Sequence, residues 1–165
     1  MKNIHKLRER TPEQILLEEG VITAAQAEEC RQEHLESGEP LSTLLQRVCD
    51  VTEWDIAKSL VKHLHFPFIR VSSYSIPKDV IEILPSPFLH QHRIVPLDLF
   101  GGMLVLATTG EIAPELVEDI EKQTGFEVAL YLSLPSDIAS CLETTFPLQN
   151  VSREVAARLD QLFGV

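Results

Sequence analysis

Several patterns that mark familiar protein classes are missing from this sequence. No apolar run approaches the roughly 20 residues that cross a bilayer, so no transmembrane helix is predicted. The three cysteines, Cys30, Cys49 and Cys141, form no Cys-x-x-Cys pair and indicate neither a zinc site nor a dithiol redox motif. We predict that they are reduced and mostly buried thiols.

Positive charge is also scarce, because 14 lysines and arginines stand against 25 aspartates and glutamates and the formal net charge is −11. Such a surface repels phosphate backbones, so nucleic acid is not an expected partner. The one basic cluster lies in residues 1–10, which are predicted to form a solvated arm or to contact an anionic lipid or nucleotide. Thr11-Pro12-Glu13 follows this arm where a signal peptide would be apolar, so the protein is expected to be cytoplasmic.

Signatures of catalysis are missing as well. The sequence has no Gly-x-x-x-x-Gly-Lys-Ser/Thr phosphate loop and no nucleophile elbow, so we expect no enzymatic activity and no catalytic residues. The His-x-His pairs at 63–65 and 90–92 diverge on a helix, so we predict capping or surface histidines and no metal site. Five carboxylates are predicted to lie on one helix, as a solvated face or as steering charge for a basic partner: Glu111, Glu115, Glu118, Asp119 and Glu121.

What the chain does contain is a doubled helical pattern in residues 11–66. A shift of 29 residues carries Leu16 onto Leu45 and Thr23 onto Thr52. Each copy predicts a short helix, a tight break, a threonine cap and a longer helix, and Gly20 falls on Cys49. Because one helix pair cannot bury its apolar face alone, the two copies are expected to pack together. The last helix is predicted to bury one stripe of side chains: Trp54, Ile56, Ala57, Leu60, Val61 and Leu64.

Residues 67–146 have a mixed pattern. Strands are predicted at 68–71, 93–100, 103–107 and 126–132, and Gly101-Gly102 predicts a β-hairpin. Helices are predicted at 77–84, 88–92, 113–124 and 135–145. The fold class is therefore α+β, with a helical repeat followed by a small α/β subdomain that has a three- to four-stranded sheet.

Residues 147–165 predict one further amphipathic helix, because apolar side chains recur at helical intervals. The helix either folds back onto the body of the protein or presents its apolar face to a partner or to a second copy of the chain. The candidate contact residues are Val155, Leu159, Leu162 and Phe163.

Together these features resemble the N-terminal domain of type II secretion and type IV pilus assembly ATPases. The resemblance runs from about Thr11 to Phe146 and rests on the order of several motifs, among them Leu16-x-x-x-Gly20, Thr52-Glu53-x-Asp55-Ile56-Ala57, His65-Phe66-Pro67-Phe68 and His92-Arg93-Ile94-Val95-Pro96. It implies a helical repeat, a small α/β unit and a role in linking a hexameric motor to an inner-membrane platform. Because the motor signature is missing, we interpret the chain as a stand-alone copy of this domain.

In some members of that family, the helical repeat binds cyclic di-GMP through two motifs that begin Arg-Leu-Gly. Here those two positions read Thr11-Pro12-Glu13 and Pro40-Leu41-Ser42, and the closing glutamine positions hold His34 and His63. Both arginines that would bind phosphate and guanine are therefore lost. We expect no cofactor, and cyclic di-GMP binding is not expected to survive. Other motif positions keep their spacing: Leu16, Gly20, Leu41 and Leu45.

The sequence thus predicts a non-enzymatic interaction or regulatory domain. It would dock on a protein component of a secretion or pilus machine, such as the inner-membrane platform, or associate with its own kind. One alternative is a ligand sensor of the cyclic di-GMP-binding type with a degenerate motif, and another is a fragment of a longer ATPase.

Overall fold

A computed structural model describes residues 4, 6–7, 10–148 and 161–162. The helical half contains α1 (Pro12–Glu18), α2 (Ala24–Ser37), α3 (Leu41–Cys49) and α4 (Glu53–Leu64). The second half contains α5 (Lys78–Ile81), α6 (Ser86–His92), β1 (Ile94–Phe100), β2 (Met103–Thr108), α7 (Pro114–Thr124), β3 (Glu127–Leu132) and α8 (Pro135–Thr145). The predicted α+β class is confirmed. Among the described helices, none has the length and apolar composition that crossing a membrane requires.

The longer helix of each repeat starts with the same hydrogen-bonded cap. Thr23 Oγ1 accepts a hydrogen bond from the Gln26 amide at 3.2 Å, and the Gln26 side chain accepts one from the Thr23 amide at 2.9 Å. Thr52 and Asp55 make the corresponding pair of bonds at 3.2 and 3.1 Å. Each reciprocal pair satisfies two amides that the first helical turn leaves without partners. The duplicated threonine caps are confirmed.

The residues that end the two shorter helices do not align as expected from the shift of 29 residues. Gly20 follows α1 with φ +71°, a left-handed conformation that glycine adopts at little cost. In the second repeat Cys49 is the last helical residue, and Asp50 takes the left-handed conformation with φ +54°. The left-handed residue therefore comes one position later in the second repeat than the shift of 29 residues predicts. Aspartate tolerates this conformation better than most residues.

The two repeats pack across each other: α1 contacts α4, and α2 contacts α3. Their interface buries Ile15, Leu16, Leu44 and Leu45 completely, and the expectation that the copies pack together is confirmed. The prediction for Trp54 was wrong, because its side chain is 42% exposed. On a helix Trp54 lies some 200° around the axis from Ile56, so it faces outward when Ile56 faces the core.

The second half is built on a three-stranded sheet in the order β1-β2-β3. Strands β1 and β2 form an antiparallel hairpin whose turn residues, Gly101 and Gly102, have φ of +56° and +80°. Two consecutive positive φ values define a turn that suits the twist of the strands, so the predicted hairpin is confirmed. Strand β3 pairs with β2 in parallel, after the crossover through α7.

Two of the predicted elements in this half are shorter than expected. The strand expected at 68–71 makes only one parallel bridge, from Phe68 to Leu132, before a 3₁₀ turn at Val71–Ser73. The helix expected at 77–84 ends at Ile81. Pro85 disfavours a helical conformation at the residue before it, which limits how far this helix extends.

Both halves contribute to one cluster of buried apolar side chains. The two halves approach closely at Gly110, where an added Cβ would lie 2.9 Å from Leu60 Cδ1. At a second junction, the Glu53 carboxylate accepts hydrogen bonds from the Ser136 amide at 3.2 Å and the Ser136 hydroxyl at 2.6 Å. Helix α4 therefore lies between α1 and the α/β half. The subdomain boundaries at 66 and 146 stay predictions.

Candidate binding surface

The outer face of α4 carries an apolar groove, here called the α4 groove. Its volume is about 330 Å³, and it is lined by Trp54, Ala57, Lys58, Val61, Lys62 and Phe68. Three of these residues lie at positions i, i+4 and i+7 of α4, which places them on one stripe of the helix. Trp54 is the only tryptophan of the chain. An indole this exposed beside other apolar side chains is typical of the centre of a protein interface.

The orientation of Trp54 is set by residues that follow α4. The ring of Phe68 lies 5.6 Å from the Trp54 ring, centroid to centroid, and the Arg70 guanidinium carbon lies 5.4 Å from the centroid of the indole ring. Arg70 in turn donates from Nη2 to Asp137 Oδ1 at 3.0 Å and from Nε to the other carboxylate oxygen. The Asp137 carboxylate raises the pKa of Arg70 above its ordinary value. The cation that lies over Trp54 is therefore held in place from α8.

The rim of the α4 groove is basic and is tied to α1. Lys62 Nζ donates to Glu19 Oε1 at 2.7 Å, and the other Glu19 oxygen accepts from the Ser59 hydroxyl. Hydrogen bonds from Lys62 first, and then from Ser59 and His63, lower the pKa of Glu19 to about 2. Lys58, one turn before Lys62, also lines the groove. This basic edge contrasts with the net charge of −11 for the whole chain.

The apolar positions of the degenerate nucleotide motif lie in the core. Leu16 and Leu45 have no exposed surface, and Leu41 is 8% exposed. Gly20 forms the turn after α1. These side chains hold the two repeats together and present almost no surface to a ligand.

The two histidines at the closing positions of the motif contact different groups. His34 Nδ1 lies 2.6 Å from the backbone oxygen of Glu39, beyond the end of α2. His63 lies between Glu19, whose Oε1 is 3.1 Å from Nε2, and Arg10, whose Nη1 is 3.2 Å from Nδ1. His34 is thus held beside the end of its own helix, whereas His63 contacts the first repeat and Arg10, which precedes α1.

At the second Arg-Leu-Gly position, residues 40–42, the backbone binds a carboxylate from the other half of the chain. Helix α3 follows Pro40 and has no cap from its own side chains. Instead, Glu111 accepts hydrogen bonds from the Leu41 amide at 3.0 Å and the Ser42 amide at 2.6 Å. A helix N-terminus favours an anion, and Glu111 supplies one from within the chain.

This contact corrects the expectation for the acidic cluster. Glu111 lies before α7 and not on it, because that helix begins only at Pro114. Glu121 is on α7, but its carboxylate accepts a hydrogen bond from the Val128 amide at 2.9 Å. The cluster is therefore not a single solvated face, since two of its members stabilise backbone elsewhere.

A second cleft lies where the two halves meet. Its volume is about 260 Å³, and its lining includes His34, Pro40, Arg93 and Glu111. This cleft adjoins the start of α3, where the resemblance places part of the nucleotide motif. Its lining contains one arginine, Arg93, and the Glu111 carboxylate is already hydrogen-bonded to the helix.

The remaining candidate groups for chemistry have structural contacts. His90 Nε2 lies 2.7 Å from the backbone oxygen of Phe146, and His92 packs on Phe88 with ring centroids 4.7 Å apart. Burial lowers the pKa of His92 and raises the pKa of Cys141. Within the described residues, no three His, Cys, Asp or Glu side chains are grouped so as to hold a metal ion. The absence of a metal and of catalysis stays a prediction.

Most of the predicted C-terminal contact residues lie outside the described residues, namely Val155, Leu159 and Phe163. Leu162 is helical and half-buried. A role for this segment in binding stays a prediction. The α4 groove was missed at the sequence level, although the spacing of Trp54, Lys58 and Val61 could have indicated it.

The arrangement of a helical repeat before a small α/β unit occurs in solved structures. A structure of MshE with cdg aligns with a TM-score of 0.65 at 18% identity, covering 81% of this chain and 97% of that one. A structure of the N-terminal domain of XpsE aligns with a TM-score of 0.63 at 23% identity, covering 87% and 95%. The fold is thus of the class found in the N-terminal domains of secretion and pilus ATPases. The MshEN domain matches residues 64–151, more than half of the chain, and this chain belongs to the MshEN domain family.

Curated relatives agree with this assignment. The type IV pilus assembly ATPase PilB of Myxococcus xanthus is 21% identical over 141 residues, which are 86% of this chain and 25% of that protein. PilB of Thermus thermophilus is 24% identical over 134 residues, which are 80% of this chain and 15% of that protein. The chain therefore spans a quarter or less of the length of these relatives. The family resemblance inferred from the sequence is confirmed.

Proposed function

We propose that this chain is a non-enzymatic docking and regulatory domain of a type II secretion or type IV pilus machine, and that it binds a protein component of that machine through the α4 groove. The observation that carries the proposal is the exposed indole of Trp54, which contacts Phe68 and Arg70 and lines an apolar groove. Family membership supplies the kind of machine.

The energetics of the α4 groove favour a protein partner. Covering an indole that is 42% exposed would remove on the order of 100 Å² of apolar surface from water, or about 2–3 kcal/mol. Because Arg70 and Phe68 already fix the ring, little rotamer freedom is lost when a partner binds. One anchor of this kind contributes a large share of the free energy of a typical interface.

The rim of the groove indicates the chemistry of the partner. Lys58 and Lys62 border the apolar floor, so the best occupant is an apolar segment flanked by acidic residues. Most of the surface repels such a segment, because the net charge is −11, and the basic rim would therefore orient it. The proposal places the domain in the cytoplasm, at the inner-membrane platform.

The chain offers a direct probe of this surface. Labelling with 5-fluorotryptophan would place one fluorine in the protein, at Trp54, because the chain has no other tryptophan. The probe partners are the purified cytoplasmic domains of the platform proteins encoded in the same genome. We expect one of them to shift or broaden the single ¹⁹F resonance at saturation, and high salt to weaken the binding.

Variants make this test specific. Trp54→Ala and Phe68→Ala are each expected to raise the Kd about tenfold or more. Leu35→Ala is the matched control, since Leu35 is 77% exposed on α2 and does not line the groove, and it should leave the Kd within about twofold. If no platform domain binds, the proposed function is wrong. If one binds with unchanged affinity for Trp54→Ala, the surface is wrong.

A cyclic di-GMP sensor is the second candidate. It is supported by the similarity of fold to MshE with cdg and by the cleft that His34, Pro40 and Arg93 line. We rank it second because Glu111 already occupies the N-terminus of α3 and a phosphate would have to displace it. Calorimetric titration with cyclic di-GMP should release no heat at high micromolar ligand; measurable binding would reverse the ranking.

A further inference from the structure

Two thiols meet inside the helical half. Cys30 lies on α2, and Cys49 is the last residue of α3. Their Sγ atoms are 3.7 Å apart, the side chains are 0% and 9% exposed, and both cysteines are free. The contact joins the first helix pair to the second. The third cysteine, Cys141, lies on α8 in the other half.

We propose that Cys30 and Cys49 form a redox modification site, at which a peroxide closes a reversible disulfide between the two helix pairs. A disulfide bond is about 2.05 Å long, so the two sulfur atoms would need to approach by about 1.7 Å. Helices α2 and α3 already pack together. Rotation of the two side chains and a small shift of the helices can supply that movement.

The reaction balances with peroxide as the only co-reactant. Cys49, the more exposed thiol, loses its proton, and its sulfur attacks one peroxide oxygen. The S–O bond forms, the O–O bond breaks, and the first water leaves. Cys30 then loses its proton, and its sulfur attacks the Cys49 sulfur. The S–S bond forms, the S–O bond breaks, and the departing hydroxide takes up a proton as the second water. Two electrons pass from the two thiols to the peroxide.

Burial makes this site slow in the intact fold. Burial first, and then the neighbouring Cys49 thiol, raise the pKa of Cys30 to about 12. Only a thiolate attacks at a useful rate, so oxidation should be slow until the helical half opens locally. The pair, here called the latch, therefore forms its disulfide only under sustained oxidation and does not act as a rapid sensor. The latch is open when both thiols are reduced and closed when they are joined. Reducing conditions in a cytoplasm would keep it open.

The closed latch should stabilise the protein. The disulfide would join two residues 19 positions apart, which restricts the unfolded chain and should raise the melting temperature by on the order of 5–10 °C. The inference does not depend on the proposed docking function.

The first test measures the mass of the oxidised protein and the number of free thiols that remain in it. The Cys141→Ser variant, which keeps only the pair, is treated with hydrogen peroxide and examined by intact mass spectrometry. We expect the loss of two hydrogen atoms, no thiol that iodoacetamide can alkylate after denaturation, and full reversal by a phosphine reductant. The matched control, Cys49→Ser in the same background, should gain oxygen instead. Oxygen addition without loss of hydrogen in the pair variant, or disulfide-linked dimers, would overturn the proposal.

The second test uses the wild-type chain, which avoids any folding defect of the variants. After oxidation and digestion without reductant, peptide mapping should find Cys30 linked to Cys49, with Cys141 still a free thiol. The melting temperature should rise and return to its starting value on reduction. A linkage that involves Cys141, or a melting temperature that falls or stays constant on oxidation, would contradict the latch.

Discussion

The two helix pairs have the same local chemistry and different surroundings. Thr23 and Thr52 cap α2 and α4 with the same reciprocal hydrogen bonds. Yet α2 buries only Ala27 and Cys30, whereas α4 buries five residues along its length: Ile56, Ala57, Ser59, Leu60 and Leu64. The hydrogen bonds that start each helix join residues three positions apart in the chain. The number of side chains that a helix buries depends instead on which other elements pack against it. Because α4 lies between α1 and the α/β half, only its outer stripe remains exposed to form the groove.

The shorter helices of the two repeats differ at their starts. At α1 the Thr11 amide donates to the side chain of Gln14 at 3.1 Å, within the same turn. At α3 the amides donate to Glu111, some seventy residues away in the other half. The first repeat is thus capped from within, and the second repeat depends on the α/β half. A ligand or partner that moved one half would act on the second repeat more than on the first.

The largest expected effect tests whether the repeats share one core. Leu16→Ala and Leu45→Ala should each lower the free energy of unfolding by about 2–5 kcal/mol, because both side chains are fully buried and each substitution leaves a cavity. Urea denaturation of the two variants would measure this. Leu35→Ala, which removes an exposed side chain, should change the free energy by less than about 0.5 kcal/mol. A small cost at only one of the two buried positions would show that the repeats are not equivalent in packing.

A medium effect tests whether the α/β half caps the second repeat. Glu111→Gln removes the charge and one of the two acceptor oxygens at the start of α3, and should lower the free energy of unfolding by about 1–2 kcal/mol. Hydrogen exchange of the Leu41 and Ser42 amides should become faster. Glu36→Gln on the exposed surface of α2 is the matched control and should have little effect. Unchanged exchange at both amides would refute the cap.

Features that depend on neighbouring residues could be predicted from the sequence, whereas contacts between distant elements could not. The threonine caps, the glycine hairpin and the buried leucines were predictable because each depends on residues close together in the chain. The role of Glu111 was not, since no local rule links a carboxylate before α7 to amides of α3. Trp54 was assigned to the buried stripe because helical periodicity fixes which residues share a face but not which face is covered. The Cys30–Cys49 contact likewise depends on how α2 and α3 pack.

The smallest expected effect concerns the bond that joins α1 of the first repeat to α4 of the second. The pKa of Glu19 is lowered to about 2 from an ordinary value of 4.5, chiefly by its hydrogen bond with Lys62. A lowered pKa in the folded state means that the carboxylate stabilises the fold above about pH 4.5 and that this contribution is lost as the pH falls toward 2. The difference in urea midpoint between the wild type and Glu19→Gln should therefore shrink steadily between pH 5 and pH 2.

The neighbouring residue provides the control, because Glu18 also has a basic partner, Arg10, at 3.0 Å, but its side chain is 51% exposed. Water and salt screen such a pair, so Glu18→Gln should shift the midpoint little at any pH. If Glu18→Gln and Glu19→Gln gave the same profile, the loss would be a general effect of acid on surface carboxylates. A profile confined to Glu19 would show that its contact with Lys62 beside the α4 groove stabilises the junction of the two repeats, so that acid would loosen the groove rim before it unfolds the core.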